Sequence, residues 1–302
     1  MNWRVSGVFF AAGGGDAERR AAGEYPDRRA ELSTMATTAR FTTRVTARFA
    51  VPSLATLAGG LLDRLLPPRC PLCGGPLSAG HAAACPGCVA DLPWLDAGCR
   101  RCGLPLPGGA GPYCPVDCAL PAGAALDRVV APLVYAWPVD RLVARAKFGR
   151  SLADARLLGQ LLAAGLRWAA APLPAGAIVV PVPLHWRRLA RRGFNQATEI
   201  ARVVAADLGL PLAPARLRRP VATPAQSGLG QRARRRNVAG AFVAAPAAGE
   251  PVLLIDDVVT TVATGLAAAA ALRTAGAGPV VLCAVARALP PRPQPAGIDR
   301  NV

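Results

Sequence analysis

A chain of 302 residues, 52% of them hydrophobic, is ample for one full domain with a packed core plus a smaller module. Its formal net charge of +17 rests almost wholly on arginine, Lys147 being the one lysine; this points to polyanionic partners or substrates, to a GC-rich genome that writes Arg for Lys, or to both. Neither a membrane span nor a secretory leader is expected. The longest charge-free apolar stretch, 168–186, carries Pro172, Pro174, Pro181 and Pro183, and Arg4 is followed only by a very short apolar run. A cytoplasmic, reducing setting is therefore expected, in which the nine cysteines do not pair as disulfides.

Residues 1–53 read as a poorly structured extension. Gly13-Gly14-Gly15 and the charged run 16–31 lack an apolar period, and 34–49 is rich in Thr and Arg without an acid. That last run imitates an organelle transit peptide, but an over-extended gene start with Met35 as a more natural beginning is favoured. Residues 54–66 have apolar side chains at helical spacing and predict a short helix stopped by Pro67-Pro68.

A cysteine module follows, to about residue 121. Cys70, Cys73, Cys85 and Cys88 form one set; Cys99, Cys102, Cys114 and Cys118 form a second. Within each, eleven residues separate the two pairs, and the strings CPLCGGPL and CRRCGLPL mark an internal duplication. Four thiolates in two knuckles suit a tetrahedral, structural Zn²⁺ per copy, about two in all. Gly74 and Gly103 stand where the chain must turn tightly around the metal. Disulfides, a thioredoxin-like redox pair and iron–sulfur ligation are the competing readings, and the cysteines could pair across the copies. His81 lies between knuckles and reads as a loop residue.

From about 122 to 289 the pattern alternates strand and helix. Strands are predicted at 128–136, with Pro132 marking an edge or bulge, and at 177–182, 252–255 and 280–286; helices at 140–148, 152–170, 194–208 and 264–275. Such alternation predicts an α/β fold with a mainly parallel sheet flanked by helices. Cys283, inside the last strand, reads as a small buried hydrophobe, and 290–302 as a loose Pro-rich tail.

Three stretches carry the chemistry. The apolar run Val252-Leu253-Leu254-Ile255 ends on Asp256 and Asp257 and passes through Val258, Val259, Thr260, Thr261, Val262, Ala263 and Thr264 into an alanine-rich helix. Free amides and Thr hydroxyls at a helix start hold a phosphate, while paired carboxylates accept hydrogen bonds from vicinal hydroxyls. Together these predict a site for a phosphorylated ribose. The other two are polar and Arg-rich: PVPLHWRRLARRGFNQ at 181–196, which follows a strand, and RRPVATPAQSGLGQRARRRNVAGAF at 218–242, a long irregular segment that reads as a lid or a disordered insert; opposite a phosphoribose loop the two could clamp a pyrophosphate.

The string VLLIDDVVTTVATG resembles the PRPP-binding motif of type I phosphoribosyltransferases, with two departures. The loop glycine is Val262, and the apolar residue after the last Thr is Gly265. With the double cysteine module in front, the three stretches look like the ComF family of competence-associated proteins. That resemblance implies a type I phosphoribosyltransferase-like fold preceded by a double zinc ribbon, PRPP binding with Mg²⁺, and handling of single-stranded DNA during transformation, with a helicase-like competence partner. It would place Asp256 and Asp257 on the ribose hydroxyls and 258–264 on the 5′-phosphate. Pro183, Leu184, Arg187 and Arg188 would form the pyrophosphate loop, supported by Asn195 and Gln196. Thr223, Gln226, Arg232 and Asn237 would belong to a closing loop.

Two functions compete at this point. One is phosphoribosyl transfer to an unidentified nitrogen acceptor. The other is a nucleic-acid-binding adaptor with a weak PRPP pocket, touching DNA through Arg234, Arg235 and Arg236 and stacking on Trp94, Tyr113 or Trp186. A glutamine amidotransferase reaction is a weak third, because every cysteine but Cys283 belongs to the zinc frame.

Overall fold

The structure is a computed structural model, and it describes residues 69–77, 83–95, 98–106, 113–114, 118, 120, 123–169, 172–221 and 240–290. The expected N-terminal extension, the helix at 54–66, His81, most of the expected tail, and Thr223, Gln226, Arg232, Arg234, Arg235, Arg236 and Asn237 lie outside the described residues.

Eight-residue apolar runs make the two central strands, β6 (Val252–Val259) and β7 (Val280–Arg287). β7 pairs with β6 on one side and with β1 (Arg128–Val130) and then β2 (Leu133–Val134) on the other; β3 (Ile178–Pro181) lies outside β6, and every pairing is parallel. The strand expected at 128–136 is thus two short ones, interrupted around Pro132, whose carbonyl accepts from the Leu95 amide instead of joining the ladder.

Side chains alternate across the sheet, and both faces are covered, which is why the strands read as continuous apolar runs. One face of β6 and β7 (Leu253, Ile255, Val281, Cys283, Val285) packs with α2 (Val139–Phe148), α3 (Leu152–Arg167) and α5 (Gln196–Leu208). The other face (Val252, Leu254, Val280, Leu282, Ala284) packs with α6 (Ala263–Thr274) and with Leu217 of the antiparallel pair β4 (Leu217–Arg218) and β5 (Val243–Ala244). The short helix α1 (Pro86–Ala90) belongs to the cysteine module, and α4 (Trp186–Arg192) connects β3 to α5. This is the mainly parallel, phosphoribosyltransferase-like α/β architecture expected, with the cysteine ribbons in front. Cys283 is fully buried in β7, and burial pushes its thiol up to about 12, as a small hydrophobe requires.

Candidate functional site

The two cysteine sets close separately. The Sγ atoms of Cys70, Cys73, Cys85 and Cys88 lie within 4.8 Å of one another, as do those of Cys99, Cys102, Cys114 and Cys118, so the copies are not crossed. The Cys85 amide donates to Cys70 Sγ and the Cys114 amide to Cys99 Sγ, both at 3.4 Å. Burial opposes charge at both thiols, yet the backbone amides around them outweigh it. Cys70 is drawn down to about 6 and Cys99 to about 7. Thiolate-favouring first cysteines in closed all-sulfur quartets fit a structural Zn²⁺ in each copy. The first knuckle of each set turns at a glycine with positive φ, Gly74 (φ +74) and Gly103 (φ +69).

At the sheet's C-terminal end, β6 runs on through Val259, so both acids lie inside the strand and not at its end. Neighbouring strand residues face opposite ways. Asp256 lines a small cavity with residues 258–265. Asp257 is buried, and its Oδ1 is 2.8 Å from Lys147 Nζ while Oδ2 accepts from Gln196 Nε2 at 2.8 Å. Gln196 in turn accepts from Arg192 Nη1 at 2.6 Å. Asp256 Oδ1 accepts the Asp257 amide at 2.9 Å. Burial first, and then the Asp257 charge, push Asp256 up to about 7, with Lys147 pulling it back. Burial pulls the Lys147 ammonium down, but Asp257 outweighs that and the net shift is upward.

The loop after β6 exposes Thr260 and half-exposes Thr261. Val262 is buried and left-handed (φ 62, ψ −6), and it stands at the N-cap of α6 with no side chain capping the helix. The amides of Ala263 and Thr264, in the first turn, therefore have no intrahelical acceptor and border the cavity that Asp256 enters. The departure at Gly265 has a packing reason: Leu282 Cδ2 reaches within 2.5 Å of where a Cβ would stand, so Leu282 supplies the apolar group from β7.

The Arg-rich stretch after β3 is more ordered than expected. Pro183 and Leu184 are half-buried, His185 caps α4 by accepting the Arg187 amide at 3.3 Å, and Arg187 and Arg188 lie in the helix. Arg187 lies over the Trp186 ring at 5.3 Å. Asn195 caps α5 and donates to the Val182 carbonyl at 3.0 Å, tying the helix start that carries Gln196 to the end of β3. Of the stacking candidates, Tyr113 and Trp186 are exposed. Trp94 is taken up by packing, its Nε1 donating to the Val89 carbonyl at 2.8 Å and its ring edge-on to Trp168.

Three side chains that sequence reasoning did not place stand beside these groups. Lys147 is the first, and its solitude among arginines was the available signal. Arg219 stacks on Phe242 at 5.2 Å and lies near enough to Asp256 to feel its charge. Arg287, 1% exposed, ends the otherwise apolar β7. Its Nε donates to the Cys102 carbonyl at 3.1 Å, and its Nη1 donates to the carbonyls of Val259 (2.9 Å), Ala288 (3.2 Å) and Thr260. One guanidinium thus joins a knuckle of the second cysteine set to the backbone of the loop after β6. A separate apolar groove of about 940 Å³ runs along α6 and β5; it shares only Ala263 with the small cavity and carries no acid.

A double zinc ribbon domain model matches residues 61–119. The chain is 34% identical over 229 residues to DNA utilization protein YhgH of Salmonella typhi, covering 74% of this chain and 99% of that protein. The Escherichia coli K12 protein of the same name is 32% identical over the same shares. Competence protein F of Haemophilus influenzae is 30% identical over 228 residues, 73% of this chain and 97% of that one. The solved structure of TT1426 from Thermus thermophilus covers 47% of this chain and 86% of its own at 20% identity and a TM-score of 0.28, a likeness too weak to argue from. Among the described residues, no helix is long and apolar enough to cross a membrane.

Proposed function

The chain belongs to the family of competence protein F and DNA utilization protein YhgH, the ComF family, and from that premise we propose that it acts in DNA uptake and utilisation, binding PRPP with its α/β domain and single-stranded DNA with its basic surface. One observation carries the PRPP half: Asp256 and the uncapped start of α6 border the same small cavity. A 5′-phosphate would lie on the amides of Ala263 and Thr264 and the hydroxyls of Thr260 and Thr261, and the ribose hydroxyls on the acid pair. Arg219 feels the charges of both Asp256 and Arg188, so a pyrophosphate beside it would meet guanidinium charge. Mg²⁺, when bound with PRPP, would neutralise pyrophosphate and ribose oxygens. The residues of this chain would hold the sugar in place and exclude water around Asp257.

Calorimetric titration of PRPP with and without Mg²⁺ tests this reading: Mg²⁺-dependent binding that Asp256→Asn weakens is expected, and heats indistinguishable from dilution would end it. The nucleic-acid half is tested by single-stranded DNA binding against salt. A steep salt dependence, reduced when Arg234, Arg235 and Arg236 become Ala, is expected.

A second reading is favoured by Val262, whose left-handed backbone leaves a β-branched side chain in a phosphate loop. In that reading the pocket senses ligand, turnover is slow or absent, and DNA binding is the protein's main work. Product formation from PRPP across candidate nitrogen acceptors separates the two.

A further inference from the structure

Of the chain's 35 basic residues, Lys147 alone is a lysine, and its Nζ rests 2.8 Å from a buried carboxylate. The geometry is supported from several sides. Lys147 lies in the last turn of α2, and that turn is fixed on α3 by the bidentate pair of Arg145 with Asp154, at 2.8 Å for both bonds. Its partner Asp257 is held at the other oxygen by Gln196 from α5, itself held by Arg192 from α4. The acid next in sequence, Asp256, is turned toward the cavity and accepts the Asp257 amide.

Burial and the neighbouring Asp257 charge favour the protonated form of Asp256, and a protonated carboxyl is a poorer acceptor for vicinal hydroxyls. A cation at the end of a flexible stem places its positive charge on one carboxylate oxygen. From this juxtaposition we propose that Lys147 is a positioning residue for pentose recognition, holding the buried Asp257 in one orientation as the charged support behind Asp256, the acid that faces the cavity and reads ribose hydroxyls. The proposal rests on the phosphoribosyl reading above and adds the residue that sets its sugar half.

The charged and titratable groups facing the pair come from each element around it. They are Lys147 of α2 with Tyr135 beside it, Arg192 of α4, and Arg219 after β4. Gln196 of α5 faces the pair as a neutral donor. Arg192 and Arg219 remain when Lys147 is replaced, so the effect of the lysine is partial and measurable. Each pH unit by which the Asp256 titration rises above the working pH lowers the ionised fraction, and hence the affinity of a ligand needing it, about tenfold.

The test uses the full zinc-loaded chain with ¹³C-labelled aspartate side chains. In the ligand-free protein, Lys147→Met should move the carboxyl titration of Asp256 up by about one pH unit or more, and Lys147→Arg should restore most of it. By calorimetry at pH 7, Lys147→Met should weaken ribose 5-phosphate about tenfold to a hundredfold, recover at pH 9, and change inorganic phosphate less than about twofold. An unmoved titration overturns the proposal, and so does equal weakening of both ligands, which would make the lysine a general anion contact or a strut. If Lys147→Met does not fold, Lys147→Arg decides alone: an unmoved titration with wild-type affinity for ribose 5-phosphate supports a charge role, and loss of that affinity without a titration shift overturns it. If the wild type binds neither ribose 5-phosphate nor PRPP while the titration shifts as expected, the phosphoribosyl reading falls and takes the sugar half with it. A failure of the lysine alone looks different, because the wild type then binds and the variant matches it.

Discussion

The two cysteine ribbons have nearly the same inside and different outsides. In the first, the Gly74 amide donates to the Cys70 carbonyl and the Cys70 amide to Gly75; in the second, Gly103 donates to Cys99 and Cys99 to Leu104, all at 2.8–2.9 Å. Short antiparallel bridges, Arg69 with Pro76 and Gly98 with Pro105, close both knuckles at matching places. Their surroundings diverge. Cys70, with Ala84 and Leu92, joins the apolar cluster of α2, α3 and α5, while Cys73 is exposed and Arg145 reaches the Pro71 carbonyl from outside. Cys99 and Cys102 share their cluster with Val129, Val259 and Val262; the Arg101 carbonyl accepts from Val129, and Arg287 ties Cys102 to the loop after β6. A duplicated sequence therefore makes one ribbon that is a cap on the helical layer and one that is a wall of the candidate site.

The strongest way to break that comparison is to open each ribbon in turn. Cys73→Ser and Cys102→Ser should each lower zinc from about two to about one per chain by metal analysis. Cys102→Ser keeps the carbonyl that Arg287 Nε reaches but opens the knuckle that holds it in place, and should loosen Val259–Thr261. Its cost to the α/β domain should be about 3–5 kcal/mol, or roughly 10 °C in Tm, against a few degrees for Cys73→Ser. Equal losses would mean that both ribbons are mere caps. The seam itself is tested by Arg287→Met. Removing the guanidinium leaves the Cys102 carbonyl buried without its donor, at a cost of about 1–3 kcal/mol, and takes one donor each from the Val259 carbonyl, which keeps the Ala288 amide, and the part-buried Thr260 carbonyl. Partial compensation by water makes about 3 kcal/mol the expected loss, read by urea denaturation, with faster amide exchange at Thr260 and Thr261. Unchanged exchange there would show that the loop does not depend on the seam.

How much of this the sequence displayed follows range. Local signals were legible: the knuckle glycines, the grouping of cysteines by spacing, and the apolar runs of β6 and β7, each placed within a few residues. The acids' opposite facing was legible in principle once β6 is known to continue, since strand alternation requires it. The helix α4 was hidden because its interior is four arginines, and the only start signal was His185, an uncommon cap. Lys147 with Asp257 and Arg287 with Cys102 lie far apart in sequence, and such pairs exist only once the sheet brings strand ends, helix ends and ribbon together. The resemblance to a PRPP motif located the loop but could not say that Val262 would keep the glycine's backbone conformation.

Val262 gives the smallest effect and the sharpest one, because two measurements should move in opposite directions. A β-branched residue in the left-handed region costs about 1–2 kcal/mol, which glycine would relieve. The same side chain is 3% exposed and packed in the cluster that includes Cys99 and Cys102, and burying a valine is worth about 1.5–3 kcal/mol. Glycine also adds unfolded-state freedom, about 0.5–1 kcal/mol. The sum predicts that Val262→Gly lowers stability by about 1–2 kcal/mol despite the released strain. Ligand affinity should go the other way. With glycine the loop backbone is free to turn its amides further toward the phosphate, and one recovered charge-assisted amide contact is worth about 1.5–3 kcal/mol, so ribose 5-phosphate should bind at least about tenfold tighter. Denaturation and calorimetry on the same preparation check both signs. A gain in stability would show that the second ribbon's cluster holds Val262 only weakly, and the two ribbons would differ less than their contacts indicate. Unchanged affinity would show that the loop already presents its amides fully with valine in place, and the adaptor reading would lose its support from this residue.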